Sequence, residues 1–103
     1  MATRPFIVTV EGSNCHLLMD GDIEKMGVFA SRFILASSPT EAGNQIILQL
    51  EHELRQQLRN IAQDAPRFRI SAIVELPWYK RFFPPKLSGF TFFLDDEEEN
   101  TNE

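Results

Sequence analysis

The chain has 103 residues, of which 43% are hydrophobic and 24% are charged, and its net charge is −5. This length supports one domain rather than two, and this apolar content excludes a wholly disordered chain. The apolar runs are too short for a transmembrane helix, and the first residues lead directly into a strand pattern. We therefore expect neither a membrane span nor a secretory signal.

The first third of the chain has the composition of β-strands separated by turns. Residues 6–11 are rich in β-formers, Gly12-Ser13-Asn14 is a turn signal, and residues 15–20 resume a strand. Residues 5–20 are therefore predicted to form a β-hairpin. A second turn at Asp20-Gly21-Asp22 then precedes a third strand over residues 27–36. Together these patterns predict a three-strand meander.

Alternation within the third strand separates its side chains into two sets. One set would face one way and contains Phe29, Ser31, Phe33 and Leu35. The other would face the opposite way and contains Val28, Ala30, Arg32 and Ile34. Because the second set mixes apolar residues with an arginine, we expect its face to be partly exposed.

A long amphipathic helix follows, and its start is the clearest local signal. Ser38 is placed to cap the helix, Pro39 suits its first position, and Glu41 completes a capping box. Apolar residues then recur every four positions at Ala42, Ile46, Leu50, Leu54, Leu58 and Ala62. This stripe predicts a helix that continues to about Gln63, with Pro66 marking its end.

Two further strands are predicted after the helix. In the fourth strand, over residues 68–76, Phe68, Ile70, Ala72 and Val74 alternate with Arg69, Ser71, Ile73 and Glu75. Residues 90–94 fit a short fifth strand. The predicted fold is one α+β domain over residues 1–94, with the order β-β-β-α-β-(β). A right-handed crossover returns the chain to the sheet, the single helix covers one face, and the other face or an edge is left for a partner.

The charge is concentrated after residue 94. Residues 95–103 hold six of the fifteen acidic residues and no base, so the rest of the chain carries ten bases and nine acids. Such a run of like charge is typical of a disordered, solvated tail. The nearly neutral remainder argues against strong non-specific DNA binding, which depends on many phosphate contacts.

The sequence favours a binding protein over an enzyme. Its only cysteine, Cys15, fits a buried position, and His16 would face the other side of the same strand. No zinc-ligand spacing, nucleophile motif or phosphate-binding glycine loop is present, and Asp20 and Asp22 are best interpreted as turn residues. We therefore predict no catalytic residue, no metal site and no cofactor.

The segment Pro77–Lys86 has the composition of an interface. Seven of the eleven aromatic residues lie from Trp78 onward, interleaved with three bases and three prolines. Residues 77–89 would form either an arm that completes the core or a surface for a partner. The predicted interaction residues are Trp78, Tyr79, Lys80, Arg81, Phe82 and Phe83, because interfaces are enriched in large aromatic residues and arginine. Aromatic residues beside bases also suit single-stranded nucleic acid.

The strand-to-helix step Phe33–Ala42, which ends in Ser38-Pro39-Thr40-Glu41-Ala42, resembles that of small HicB-type antitoxin domains. The resemblance covers the order of elements over about residues 5–60 and carries over no functional residue. In overall layout the chain also resembles small bacterial α+β proteins of unknown function, which implies a bacterial, cytoplasmic setting. The expected function is a small protein–protein interaction module that binds a protein partner or a second copy. The alternative is a HicB-like regulator that contacts nucleic acid.

Overall fold

The structure is a computed structural model that describes residues 2–55, 58, 59 and 65–94. It contains the strands β1 (Arg4–Met19), β2 (Asp22–Ala36), β3 (Arg67–Glu75) and β4 (Thr91–Leu94), and the helix α1 (Pro39–Leu54). The four strands form one antiparallel sheet in the order β3-β1-β2-β4. The α+β class and the single helix are therefore confirmed. The predicted acidic tail lies outside the described residues.

The predicted three-strand meander is wrong in its first turn, because β1 and β2 are one long hairpin. Gly12-Ser13-Asn14 lies inside β1, where one extra residue between Gly12 and Cys15 shifts the register against β2. Asn14 takes up this bulge with a φ of 56°, a left-handed conformation that asparagine tolerates better than most residues. The chain reverses only at Asp20 and Gly21, whose φ angles are both positive.

The core lies between α1 and one face of the sheet. The helix contributes Ala42, Ile46, Leu50 and Leu54, as the four-residue stripe predicts. The sheet contributes Phe6, Val8, Val10, Val28 and Ala30. The bulge in β1 then moves Cys15 and Leu17 onto this same face. Alternation in β2 follows the predicted two sets, but the set that contains Arg32 faces the helix and is buried, contrary to the expectation of a partly exposed face.

The helix is shorter than the stripe predicts. It ends at Leu54, and Leu58 instead forms a β-bridge with Leu17. The Arg59 N–H donates to the His16 carbonyl oxygen at 2.6 Å. The Leu58 N–H still donates to the Leu54 carbonyl oxygen at 3.0 Å, so it is at Arg59 that a backbone N–H bonds to β1 instead of to the helix. The rest of the predicted extension, residues 60–63, lies outside the described residues.

A second bulge changes the pattern of β3. Val10 pairs with Ile70 and Thr9 pairs with Ala72, so Ser71 is an extra residue. The strict alternation predicted for this strand is therefore wrong beyond Ile70. Ile73 faces the helix together with Ile70, while Ala72 and Val74 face the opposite side of the sheet.

Candidate functional site

The aromatic segment begins where β3 ends and is built around a short 3₁₀ turn, Trp78–Arg81. Leu76 extends the pairing of β3 by donating its N–H to the Pro5 carbonyl oxygen at 2.9 Å. The Lys80 N–H then closes the turn on the Pro77 carbonyl oxygen, also at 2.9 Å. Pro77, with a φ of −57°, fixes the entry to the turn. The turn is thus held at its start by both the sheet and a proline.

Four aromatic side chains on and just after this turn are exposed to solvent. They are Trp78, Tyr79, Phe82 and Phe83, and we call them the aromatic cluster. Trp78 is 71% exposed and Phe83 is 72% exposed. Their exposure contradicts a role for these four residues in completing the core. Large exposed apolar groups that lie side by side mark interaction sites more often than isolated ones do.

The cluster is partly ordered by its own ring contacts. Trp78 meets Tyr79 and Phe82 edge-to-face, with ring centroids 5.9 and 6.4 Å apart. Such pairs contribute about 0.5–1.5 kcal/mol beyond their buried area. The rings are therefore held in a preferred arrangement before any partner binds, which lowers the entropy lost on binding.

Arg81 connects the turn by hydrogen bonds to Thr3, the residue before β1. Its guanidinium donates to the Thr3 carbonyl oxygen at 3.3 Å and to the Thr3 Oγ1 at 3.2 Å. The predicted interaction residue Arg81 therefore also positions the turn. Lys80 and Lys86 are the other bases of the segment, and the sequence from Leu76 to Leu94 contains no acidic residue. The segment itself consequently carries a net positive charge.

Two aromatic residues further along the chain, Phe90 and Phe93, pack against the sheet. Phe90 packs against the core, and the Arg32 guanidinium lies 5.1 Å from its ring centroid. Phe93 lies over Gly27, where a β-carbon would collide with its ring, and its ring centroid lies 5.3 Å from that of Phe29. The aromatic residues after β3 thus include rings that pack against the sheet and the exposed rings of the aromatic cluster.

The residues considered for catalysis do not come together. Cys15 is buried among apolar side chains, and its thiol donates to the Ser13 carbonyl oxygen at 3.7 Å. His16 lies on the opposite face of β1. Asp20 and Asp22 are exposed on either side of the hairpin turn. Within the described ranges, no group of three or more His, Cys, Asp or Glu residues could hold a metal ion.

A cavity of about 310 Å³ lies between β2 and the segment that leads into β4. Its lining residues are all uncharged: Phe29, Ala30, Ser31, Leu87, Ser88, Gly89, Phe90 and Thr91. A cavity with this lining offers hydroxyl groups but no side chain that titrates near neutral pH. It therefore adds no acid, base or strong nucleophile to the candidate site.

The sheet face away from α1 is the surface that the sequence predicts to be left uncovered by the single helix. We call it the open face. Its outward positions include Ile7, Phe29, Phe33, Leu35, Ala72 and Val74. The alternation in β2 pointed to part of this surface, but the bulge in β3 concealed which residues of that strand belong to it.

Comparisons with protein families, curated proteins and solved structures found no match to this chain. Within the described residues, no helix is long and apolar enough to cross a membrane.

Proposed function

We propose that this protein is a small protein–protein interaction module that uses the aromatic cluster to bind a protein partner. The observation that carries the proposal is the exposure of four neighbouring aromatic side chains on a turn that the sheet, a proline and Arg81 hold in place. Trp78 is its anchor, since it lies between Tyr79 and Phe82 and interface energy concentrates on central tryptophan and tyrosine residues.

The chemistry of the segment selects the kind of partner. The cluster supplies apolar contact area, whereas Lys80 and Lys86 supply positive charge without an acidic residue nearby in sequence. A partner segment that presents apolar side chains flanked by Asp or Glu would complement both features. Complementary charge at the rim of such an interface mainly raises the association rate and the selectivity.

The test is capture of partners from a cell lysate with the wild type and with a Trp78→Ala/Phe83→Ala variant. Because both side chains are more than two-thirds exposed, we expect the variant to keep the wild-type circular dichroism spectrum and to lose the bound protein. Bound protein and bound nucleic acid are both measured. Leu48→Ala is the matched control, because Leu48 is a 66% exposed apolar residue on the helix.

Each outcome of this experiment decides between functions. A protein retained by the wild type and by Leu48→Ala, but not by the double variant, supports the proposal. Equal retention by all three baits would reject the aromatic cluster as the site. Retention of nucleic acid that falls steeply with added salt would favour the nucleic-acid regulator instead, since phosphate contacts release counterions. Unfolding of the double variant would assign these residues to the core.

A further inference from the structure

Three basic residues lie on the open face, in the half of the sheet nearest the hairpin turn. Lys25 precedes Met26, whose side chain lies in the core on the helix side, so Lys25 is on the other side of β2. Arg67 and Arg69 flank Phe68, which also packs against the core, so both arginines are on the open face of β3. We call these three residues the basic patch.

The charges on this half of the face do not balance. Among the described residues there, Glu11 is the one carboxylate, and it accepts twice from the Arg69 guanidinium, at 2.6 and 3.0 Å. Arg67 is exposed, and the Arg69 side chain is 75% exposed. Three basic residues against one acidic residue leave a surplus of positive charge on the surface.

The basic patch lies close to the end of β4. Leu94 pairs with Met26, which is the neighbour of Lys25. Strands lie about 4.8 Å apart and rise about 3.4 Å per residue, so β3 is roughly 14 Å across the sheet from β4. Arg69 lies opposite Glu11 and level with Thr91, three residues along β4 from Leu94. The backbone of every residue in the patch is therefore within roughly 18 Å of Leu94.

The strongest negative charge of the sequence follows directly after Leu94. Residues 95–103, which we call the acidic segment, contain six acidic residues and no base, and five of the six are at positions 95–99. A chain extends by at most about 3.3–3.6 Å per residue, so these five residues stay within roughly 18 Å of Leu94. The acidic segment is therefore long enough to place its carboxylates on the basic patch.

The bases beside the aromatic cluster are too distant for these five carboxylates. The 3₁₀ turn that holds Lys80 follows Leu76, whose N–H bonds to the Pro5 carbonyl oxygen, and Pro5 pairs with Leu35. Leu35 is nine residues along β2 from Met26, which corresponds to roughly 30 Å. Residues 95–99 cannot span that distance.

The helix side of the same end of the sheet carries negative charge. Glu24 pairs with Leu17, which is buried beneath the helix, so Glu24 lies on the helix side, and Asp22 follows it by alternation. Both acidic residues are exposed. Like charges repel the acidic segment from this side, whereas the basic patch attracts it on the other.

From these observations we infer that the acidic segment docks on the basic patch of its own chain. Covalent attachment gives the segment an effective concentration in the millimolar range, so several weak ion pairs are sufficient to hold it. Docking neutralises the basic patch and leaves the aromatic cluster accessible to its partner. An anionic ligand of the open face must therefore first displace the segment. This inference does not rest on the proposed function.

A spin label on the acidic segment tests the inference by NMR. Asn100→Cys supplies a thiol for a nitroxide reagent, and because Cys15 is 0% exposed, the wild type treated in the same way should stay unlabelled. The label should broaden the amide signals of residues 67–69 more than those of residues 51–54. The latter form the last turn of the helix, on the other side of the same end of the sheet. The broadening at residues 67–69 should fall when salt is raised from about 0.01 to about 1 M, because the Debye length falls from about 30 to about 3 Å.

Charge variants of the labelled chain locate the contact. Lys25→Ser/Arg67→Ser should lower the ratio of docked to free segment about fivefold, as the loss of two surface ion pairs implies. Lys80→Ser/Lys86→Ser removes the same charge from the segment around the aromatic cluster and should leave the broadening unchanged. Glu97→Gln/Glu98→Gln/Glu99→Gln leaves every described residue as it is, so it tests the contact without altering the sheet, and it should abolish the preference for residues 67–69.

The outcomes are distinct. Equal broadening at residues 67–69 and 51–54 overturns the inference, as does a preference that survives 1 M salt or the three Glu→Gln substitutions. An effect of Lys80→Ser/Lys86→Ser equal to that of Lys25→Ser/Arg67→Ser would also reject the basic patch as the docking site. The aromatic cluster is intact in all these variants, so failure of this inference leaves the proposed function standing.

Discussion

Arg32 is a charged residue that occupies a buried position between the sheet and the helix. In the structure Arg32 is 5% exposed, and its Nη2 donates to the Glu53 carboxylate at 3.0 Å. Its guanidinium also lies over the Phe90 ring. A charged residue can occupy a core position when its head group is paired and its stem packs, and composition alone does not reveal this.

These contacts make Arg32 a connection between the sheet, the helix and the segment before β4. We expect Arg32→Ala to lower the free energy of unfolding by about 2 kcal/mol, because packing and the ion pair are both lost. This is below the loss for a fully buried pair, since the Glu53 side chain is 35% exposed and can be hydrated. Arg32→Met keeps most of the stem and should lose less. Urea unfolding followed by circular dichroism measures both values, and equal losses in the two variants would contradict a packing role.

The aromatic residues after β3 also combine a feature that the sequence predicts with one that it does not. Their number and their spacing from bases could be read from the sequence, but not which of them are buried. Phe90 and Phe93 are placed by the pairing of β4 with β2, whereas Trp78, Phe82 and Phe83 lie on a turn outside the sheet. Burial here depends on long-range pairing, which no local pattern encodes. The cluster could therefore be proposed from sequence, but its exposure could not.

At the scale of elements, the helix start was predictable because its signals are local. The Ser38 hydroxyl accepts from the Glu41 N–H at 3.1 Å, and the Glu41 carboxylate accepts from the Ser37 N–H at 2.7 Å. Pro39 occupies the first turn, as expected. The end of the same helix was not predictable, because it depends on the contact of Leu58 with Leu17, which lies on a distant strand. The four-residue repeat of apolar side chains therefore continues in the sequence past Leu54, although the helix ends there.

The two bulges show why the faces of the strands could not be assigned fully from the sequence. Gly12-Ser13-Asn14 has the composition of a turn and also suits this bulge, since asparagine tolerates the positive φ that Asn14 adopts here. Ser71 in β3 gives no such signal. Each bulge moves the following residues to the opposite face, so a single extra residue changes which side chains form the core and which form the open face. The alternation of side chains still predicts which face a residue occupies within any stretch of strand that no bulge interrupts.

The Glu41 carboxylate accepts from Ser37 rather than from the N-cap Ser38, as a capping box would require, and it makes the stability of the helix start depend on pH. Hydrogen bonds from the Ser37 side chain and backbone lower the pKa of Glu41 from its ordinary value of 4.5. A lowered pKa in the folded state means that the ionised carboxyl stabilises the fold above pH 4.5, and that this contribution is lost as the pH falls through the lowered value. We expect Glu41→Gln to destabilise the protein near neutral pH and to differ little from the wild type in acid.

Urea unfolding at a series of pH values measures this difference directly. Ser37→Ala removes the hydroxyl that contributes most to the lowered pKa, so it should remove part of the pH dependence that Glu41→Gln abolishes. A difference between wild type and Glu41→Gln that is constant from neutral to acid pH would show that the carboxylate has no special role at this cap.

At the scale of the whole molecule, the core consists of two clusters of buried residues that follow the length of the hairpin. One surrounds Phe6, Val8, Val10, Ile46 and Leu50, and the other surrounds Cys15, Leu17, Met26, Val28 and Leu54. Phe68 and Phe90 are partly buried and pack against both clusters. The Phe68 ring also lies over Gly12, where a β-carbon would approach it to 2.9 Å. The two clusters are therefore bridged by these two aromatic side chains in addition to the strands β1 and β2, which run through both.

This arrangement predicts that Phe68 contributes to cooperativity as well as to stability. We expect Phe68→Ala to lower the free energy of unfolding by about 3 kcal/mol, the lower end for a core phenylalanine, because the ring is only partly buried. If the two clusters then unfold separately, the transition broadens and its dependence on denaturant falls. Urea unfolding followed both by circular dichroism and by Trp78 fluorescence measures this, since coincident transitions in the wild type should separate in the variant. Leu48→Ala should change stability by less than about 0.5 kcal/mol. A Phe68→Ala variant that behaves like Leu48→Ala would show that the two clusters do not depend on this ring.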